Sequence, residues 1–145
     1  MNTPISALLE RKGAVVHSVP GTVTIAEAVA EMNRHRIGAI VVLESGRLAG
    51  IFTERDVLRR VVGAGLDPKT MRVADVMTTN LITITPESTV DDVMLLFSEK
   101  RCRHLPVLAN DRLVGLISIG DISRWVSDTH RAEAEQLKSY IAGGF

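Results

Sequence analysis

The chain has 145 residues, 17 Lys and Arg against 17 Asp and Glu, and is 46% hydrophobic but only 3% aromatic, so one average-sized domain must fill its core with aliphatic side chains. The formal net charge of +0 argues against nucleic acid as the main partner, because backbone phosphates are met by clustered excess Lys and Arg. A single cysteine excludes an internal disulfide and a Cys-based zinc site, and no apolar run approaches the roughly 18 residues of a membrane span.

Met1-Asn2-Thr3-Pro4 carries no charged segment followed by an apolar stretch, so no signal peptide and a cytoplasmic location are expected. Ser6 to Arg11 reads as a short helix and Ala14 to Val19 as a short apolar strand. Thr24-Ile25-Ala26-Glu27 is a capping-box pattern. The helix it opens places Ile25, Ala28, Val29 and Met32 on one face. Ala39 to Leu43 is a continuous apolar run, as expected of a strand buried on both sides. Glu44-Ser45-Gly46 marks a turn, Arg47 to Phe52 the returning strand, and Thr53 to Val62 a second helix. Gly63, Gly65 and Asp67-Pro68 break that helix and start a linker, in which Val73 to Met77 forms a single turn.

The order then repeats. Gly50, Thr53 and Asp56 match Gly115, Ser118 and Asp121 at a constant offset of 65 residues. Ile25, Ala28, Val29 and Met32 match Val90, Val93, Met94 and Phe97 at the same offset, without a gap. Thr89 with Asp92 opens the counterpart of the Thr24 helix more weakly, Asn110-Asp111 replaces the turn, and Ser118 to Val126 closes the copy as a helix. Pro106 inside the second buried strand marks a position without a ladder hydrogen bond. A fixed period of this length means one supersecondary unit used twice. The expected fold is therefore α/β: two pseudo-twofold-related βαββα units, 14–62 and 81–127, each with a three-stranded sheet. They pack as one domain with a cleft between them, joined by a linker at 63–80 and followed by a helical tail at 128–145. In that tail Ala134, Leu137, Tyr140 and Ile141 form an apolar stripe, expected to be buried either on the chain's own repeat domain or, the preferred reading, against a second copy of the chain.

Clefts at internal interfaces are favoured places for small ligands. Thr53 and Ser118 precede the first turn of a helix, where unpaired N–H groups favour an anion, and Asp56 and Asp121 follow three residues on, where a carboxylate can accept from a ribose diol. The same Thr-x-x-Asp and Ser-x-x-Asp spacings also fit capping boxes that serve only their own helix. Arg55 and Arg103 offer guanidinium forks for phosphate, His104 a donor or a stacking ring, and Gly120 room for a ligand backbone. Gly50 and Gly115 read as close packing within each hairpin, and Cys102 as a buried, inert thiol. The four histidines lack metal-ligand spacing, and no nucleophile–base pair or phosphate-binding loop motif occurs, so no catalysis is expected.

The doubled Gly-hydrophobic-x-Ser/Thr-x-x-Asp pattern, preceded by Asp75-Val76-Met77-Thr78, resembles a pair of cystathionine-β-synthase (CBS) domains over Ala14 to Val126. The resemblance implies a stand-alone regulatory module with no obligatory cofactor, binding an adenosine ligand between the repeats: AMP foremost, also ADP, ATP or NAD. It implies a site drawn from Gly38, Ala39, Thr53, Arg55, Asp56, Thr78 and Asn80 on one side, and Arg103, His104, Pro106, Ser118, Gly120 and Asp121 on the other. It also implies a homodimer and an effector protein elsewhere. The rival readings are a structural dimerisation module with an empty cleft, and a nucleotide-processing enzyme.

Overall fold

Four helices start on the same device, a hydroxyl and a carboxylate three residues apart that satisfy each other's backbone N–H groups. Thr24 and Glu27, Thr53 and Asp56, Thr89 and Asp92, and Ser118 and Asp121 all form the reciprocal pair. The structure, a computed structural model, describes residues 2–13 and 15–143; the side chains of residue 134 and residues 137–143 lie outside the described set. The elements are α1 (Ile5–Lys12), β1 (Ser18–Pro20), α2 (Ile25–His35), β2 (Ala39–Glu44), β3 (Arg47–Thr53) and α3 (Glu54–Asp56), which runs on as a π-helical stretch (Val57–Val62). A 3₁₀ turn (Val73–Asp75) follows, then α4 (Val90–Lys100), β4 (His104–Ala109), β5 (Arg112–Ser118) and α5 (Ile119–Gly143).

The repeat is visible in backbone detail. Both hairpins close on two positive-φ residues, Ser45 (52°) with Gly46 (76°) and Asn110 (52°) with Asp111 (63°), the twist-matched turn of two-residue β-hairpins. Both ladders slip register once, between Val42 and Leu43 and between Val107 and Leu108. The chain enters α3 with the Glu54 N–H donating to the Gly38 carbonyl at 3.0 Å, and α5 with Ile119 donating to Arg103 at 3.0 Å.

Each half is completed by the segment that precedes the other half. Ile5 and Leu8 of α1 join Ile84, Val90, Val93, Leu105, Val107, Ile117 and Ile122 in the second core. Val73 and Val76 of the linker join Val19, Ile25, Ala28, Met32, Ile40, Val42, Phe52 and Val61 in the first. The backbone agrees: Ile5 donates to Ser88 at 2.8 Å and Val90 to Thr3 at 2.9 Å, while Ile25 donates to Met71 at 3.0 Å and Val73 to Val23 at 2.9 Å. Phe52 is fully buried, so truncating it to Ala costs about 3–5 kcal/mol. This exchange makes α1 part of the repeat rather than an appendage outside it.

Four expectations need correction. The first half has three strands, β1-β2-β3, but the second has two, β4-β5, with one parallel bridge from Ile84 to Val107 in place of the third. Pro106 supplies the reason: Val41 donates to the His17 carbonyl at 3.3 Å in the first half, and Pro106, 65 residues on, has no N–H to repeat that bond. β1 spans only Ser18–Pro20 rather than beginning at Ala14, which is outside the described residues. The helix after Asp56 widens to a π-helix, with Gly63 donating to Leu58 and Leu66 to Val61. Finally, α5 is continuous for 25 residues instead of breaking before a separate tail. Ser127, Asp128 and Thr129 are weak helix formers but not breakers, and the Thr129 hydroxyl donates to the Trp125 carbonyl at 2.9 Å. The stripe side chains Ala134, Leu137, Tyr140 and Ile141 lie outside the described set.

Candidate functional site

A cavity of about 670 Å³ opens between the halves, and its floor is the junction of β3 with α3. One wall carries Gly38, Thr53, Arg55 and Asp56, with Arg59 and Arg60 from the π-helical turn; the linker contributes Thr78 and Asn80. The opposite wall is the end of α4 and the start of β4, with Lys100, Arg101, Cys102, Arg103 and His104. Eight of the thirteen residues singled out from sequence thus meet in one cavity: Gly38, Thr53, Arg55, Asp56, Thr78, Asn80, Arg103 and His104.

The other five stand elsewhere. Ala39 is buried opposite Thr53, and Pro106 opposite Leu116, inside their hairpins. Ser118 caps α5, Gly120 lies in its first turn, and Asp121 lines a separate cavity of about 320 Å³ with Leu8, Arg11, Lys12, Arg124 and Trp125.

Asp56 is buried, and its carboxylate has one committed and one loosely held oxygen. Oδ2 accepts from the Thr53 N–H at 3.0 Å, while among the described residues Oδ1 has only the Thr78 hydroxyl at 3.5 Å and Arg60 Nε at 3.6 Å. Capping and an open acceptor therefore coexist in one side chain. Asp121 differs. Lys12 Nζ donates to its Oδ2 and Arg124 to its Oδ1, each at 2.6 Å, and the Ser118 N–H adds a 2.8 Å bond to Oδ2. Burial pushes the Asp121 pKa up, but the Lys12 and Ser118 bonds outweigh it and hold the carboxyl below its ordinary value.

Cations dominate the open cavity. Arg55, Arg59, Arg60, Lys100, Arg101 and Arg103 line it against two carboxylates, Glu54 and Asp56. Burial holds the His104 imidazole below its ordinary pKa; Lys12 and Arg103 add to this, and Asp121 and Glu54 oppose it. Cys102, expected as a core thiol, packs against the second core on one side and lines the cavity on the other, and burial pushes its pKa up.

Gly50 and Gly115 make room for neighbours outside their hairpins. A Cβ on Gly50 would lie 2.6 Å from Met77 Sδ and 2.8 Å from the Thr78 carbonyl oxygen, and one on Gly115 2.5 Å from Leu9 Cδ2. These glycines seat the linker and α1, so the close approach expected of them joins the halves rather than the strands.

The family model for the CBS domain matches residues 12–63 and again 73–128. The chain belongs to the CBS-domain family. As a CBS pair it is a regulatory module, and it is 43% identical over 127 residues to the mitochondrial CBS domain-containing protein CBSX3 of Arabidopsis thaliana, a match covering 84% of this chain and 62% of that protein. It spans less than two thirds of that relative's length. The CBS-domain-containing protein ATU1752 of Agrobacterium tumefaciens superposes with a TM-score of 0.80 at 41% identity, covering 84% of this chain and 98% of that one. The CBS pair of protein MJ0100, solved with 5′-methylthioadenosine and S-adenosyl-L-methionine, has the same fold, with a TM-score of 0.78 at 24% identity over 89% of this chain and 99% of that one. Among the described residues no helix is long and apolar enough to cross a membrane, and no group of three His, Cys, Asp or Glu could hold a metal ion.

Arg59, Arg60, Lys100 and Arg101 went unremarked in the motif. A signal was present: Arg55 and Arg59 are four residues apart on one helical face. Lys100 and Arg101 stand beside Arg103, across a helix end that the left-handed Arg101 (φ 52°) terminates.

Proposed function

We propose that this CBS pair binds an adenine nucleotide in the open cleft and transmits the binding as a change in shape or assembly. The observation that carries the reading is the convergence of cations from both halves on the start of α3, beside a carboxylate with a loosely held oxygen. Asp56 Oδ1 accepts from the ribose diol, and the N-terminal turn of α3, with Arg55 and Arg103, takes the nearest phosphate. Thr78, Asn80, Gly38 and His104 border the base and sugar. Arg59, Lys100 and Arg101 lie where further phosphates extend, which favours ADP, ATP or NAD over AMP. The ligands of the MJ0100 pair carry no phosphate; this cleft is built for phosphate-bearing members of the adenosine class.

The exposed Leu58, Val62 and Leu95 offer apolar surface to a second copy or to an effector protein, and the nucleotide pool it reads is that of the cytoplasm. Calorimetry with AMP, ADP, ATP, NAD and S-adenosylmethionine tests the reading. Saturable binding of the phosphate-bearing ligands, weakened at least tenfold in Asp56→Ala, supports it. No heat from any of the five, or release of hydrolysed product, rejects it.

A further inference from the structure

Three consecutive linker residues meet the side chain of Asp56, and one cation joins them to it. Arg60 Nη1 donates to the Val76 carbonyl at 3.2 Å and to the Met77 carbonyl at 3.3 Å, while its Nε stands 3.6 Å from Asp56 Oδ1. The hydroxyl of the next residue, Thr78, reaches the same oxygen at 3.5 Å. The linker is fixed at this point: Val76 is buried in the first core, and Thr78 exchanges backbone bonds with Ile51 of β3 at 2.9 and 3.0 Å. Arg60 therefore ties a buried carboxylate to a held stretch of backbone.

The repeated unit does not need a cation here. Arg60 and Gly63 correspond to Trp125 and Asp128 at the offset of 65 residues, and there Trp125 packs against the second core within a regular helix. In the first half the same stretch is π-helical, with Gly63 donating to the Leu58 carbonyl at 2.9 Å. A Cβ on Gly63 would lie 2.7 Å from the Arg59 carbonyl oxygen, so the widened turn depends on glycine. Short π-helical turns are frequent at functional sites, and this one carries Arg60.

We propose that Arg60 is a specificity-determining residue of the open cleft, aiming Asp56 Oδ1 at the sugar hydroxyls and passing the presence of an intact ribose diol to the linker. The proposal rests on the nucleotide reading of the cleft and deepens it: the other cations meet phosphate, and this one acts on the sugar through Asp56. Thr53 holds Oδ2, so the position of Oδ1 is set by what stands on its far side, which is Arg60 and Thr78. A buried carboxylate is costly unless it is paired, and contacts of 3.5 and 3.6 Å leave it room for a closer donor. A sugar hydroxyl is such a donor, and a hydrogen bond to a charged acceptor changes binding by about tenfold to a hundredfold.

ATP and 2′,3′-dideoxy-ATP are titrated by calorimetry into wild type, Arg60→Gln, Arg60→Met and Arg59→Ala, with folding checked by circular dichroism. Wild type should prefer ATP by about tenfold or more. Both Arg60 variants should lose most of that preference, whereas Arg59→Ala, which removes a phosphate partner, should weaken the two nucleotides alike and keep it. A preference that survives intact in the Arg60 variants, one lost equally in Arg59→Ala, or equal binding of the two nucleotides by wild type overturns the proposal while leaving nucleotide binding in place. No binding of either nucleotide by wild type rejects the open-cleft reading itself. Amide hydrogen exchange on wild type decides the matter if the Arg60 variants do not fold. At equal saturation ATP should protect the Thr78 amide, which donates to Ile51, more than the dideoxy analogue does. Equal protection by the two overturns the proposal.

Discussion

Thr53 and Asp56 hold each other from both ends, with the Thr53 N–H donating to Asp56 Oδ2 at 3.0 Å and the Asp56 N–H donating to Thr53 Oγ1 at 3.2 Å. The pair starts α3, and it also fixes the orientation of Oδ1 at the floor of the cleft. Asp56→Ala should therefore lose about 1 kcal/mol of stability, the usual cost of a cap. It should also weaken ATP at least tenfold, about 1.4 kcal/mol. Urea melts and calorimetry on the same protein separate the two losses. A stability loss with unchanged affinity reduces Asp56 to a cap.

Asp121 should make the fold sensitive to acid. Its folded pKa is depressed, with the Lys12 and Ser118 bonds prevailing over burial. The stability it contributes is thus complete above the unfolded value of about 3.9 and is lost as the pH falls through the lower folded value. The urea midpoint of wild type should exceed that of Asp121→Asn at pH 7, and the gap should close below about pH 4. A gap that persists unchanged to pH 2.5 contradicts this.

Gly50→Ala should destabilise by about 1–3 kcal/mol, the range for overpacking a filled site. Its Cβ would meet the Thr78 carbonyl oxygen at 2.8 Å, a backbone atom that can move only with the linker. Gly115→Ala meets the end of the Leu9 side chain instead, which can turn away, so its cost should be smaller. Thermal melts of the two variants rank them, and equal costs would mean that the linker yields as easily as a side chain.

Much of the fold was legible in sequence because it is local. The hydroxyl–carboxylate pairs at Thr24, Thr53, Thr89 and Ser118, the turn pairs Ser45-Gly46 and Asn110-Asp111, and the offset linking Gly50 to Gly115 each depend on a few neighbouring residues. What escaped depends on contacts across the chain. Nothing near Lys12 in sequence announces Asp121 as its partner, and Ile5 and Leu8 look like an isolated helix face until the second core is assembled. The missing third strand was partly legible in Pro106, but only its alignment with Val41 tells which bond is lost. The cleft's motif residues were visible, whereas Arg59, Lys100 and Arg101 became relevant only when helix ends of opposite halves met.

Phosphate count, rather than base, should set affinity in the open cleft. Arg59→Ala and Arg101→Ala should each weaken ATP by about 1.5–3 kcal/mol, the worth of a charge-assisted bond, while leaving adenosine unchanged. The ATP affinity should fall with added salt more steeply than that of AMP. An equal loss for adenosine would mean that these residues hold the fold or the base.

The central claim, that an adenine nucleotide binds where Asp56 faces the cations of the other half, is tested most directly by the melting temperature with and without ATP. At about 100 times its dissociation constant a ligand adds about 2.7 kcal/mol, roughly 5–10 °C for a domain of this size. The account predicts a rise of that order for wild type and a much smaller one for Asp56→Ala. A melt unmoved by millimolar AMP, ADP, ATP and NAD alike would contradict it.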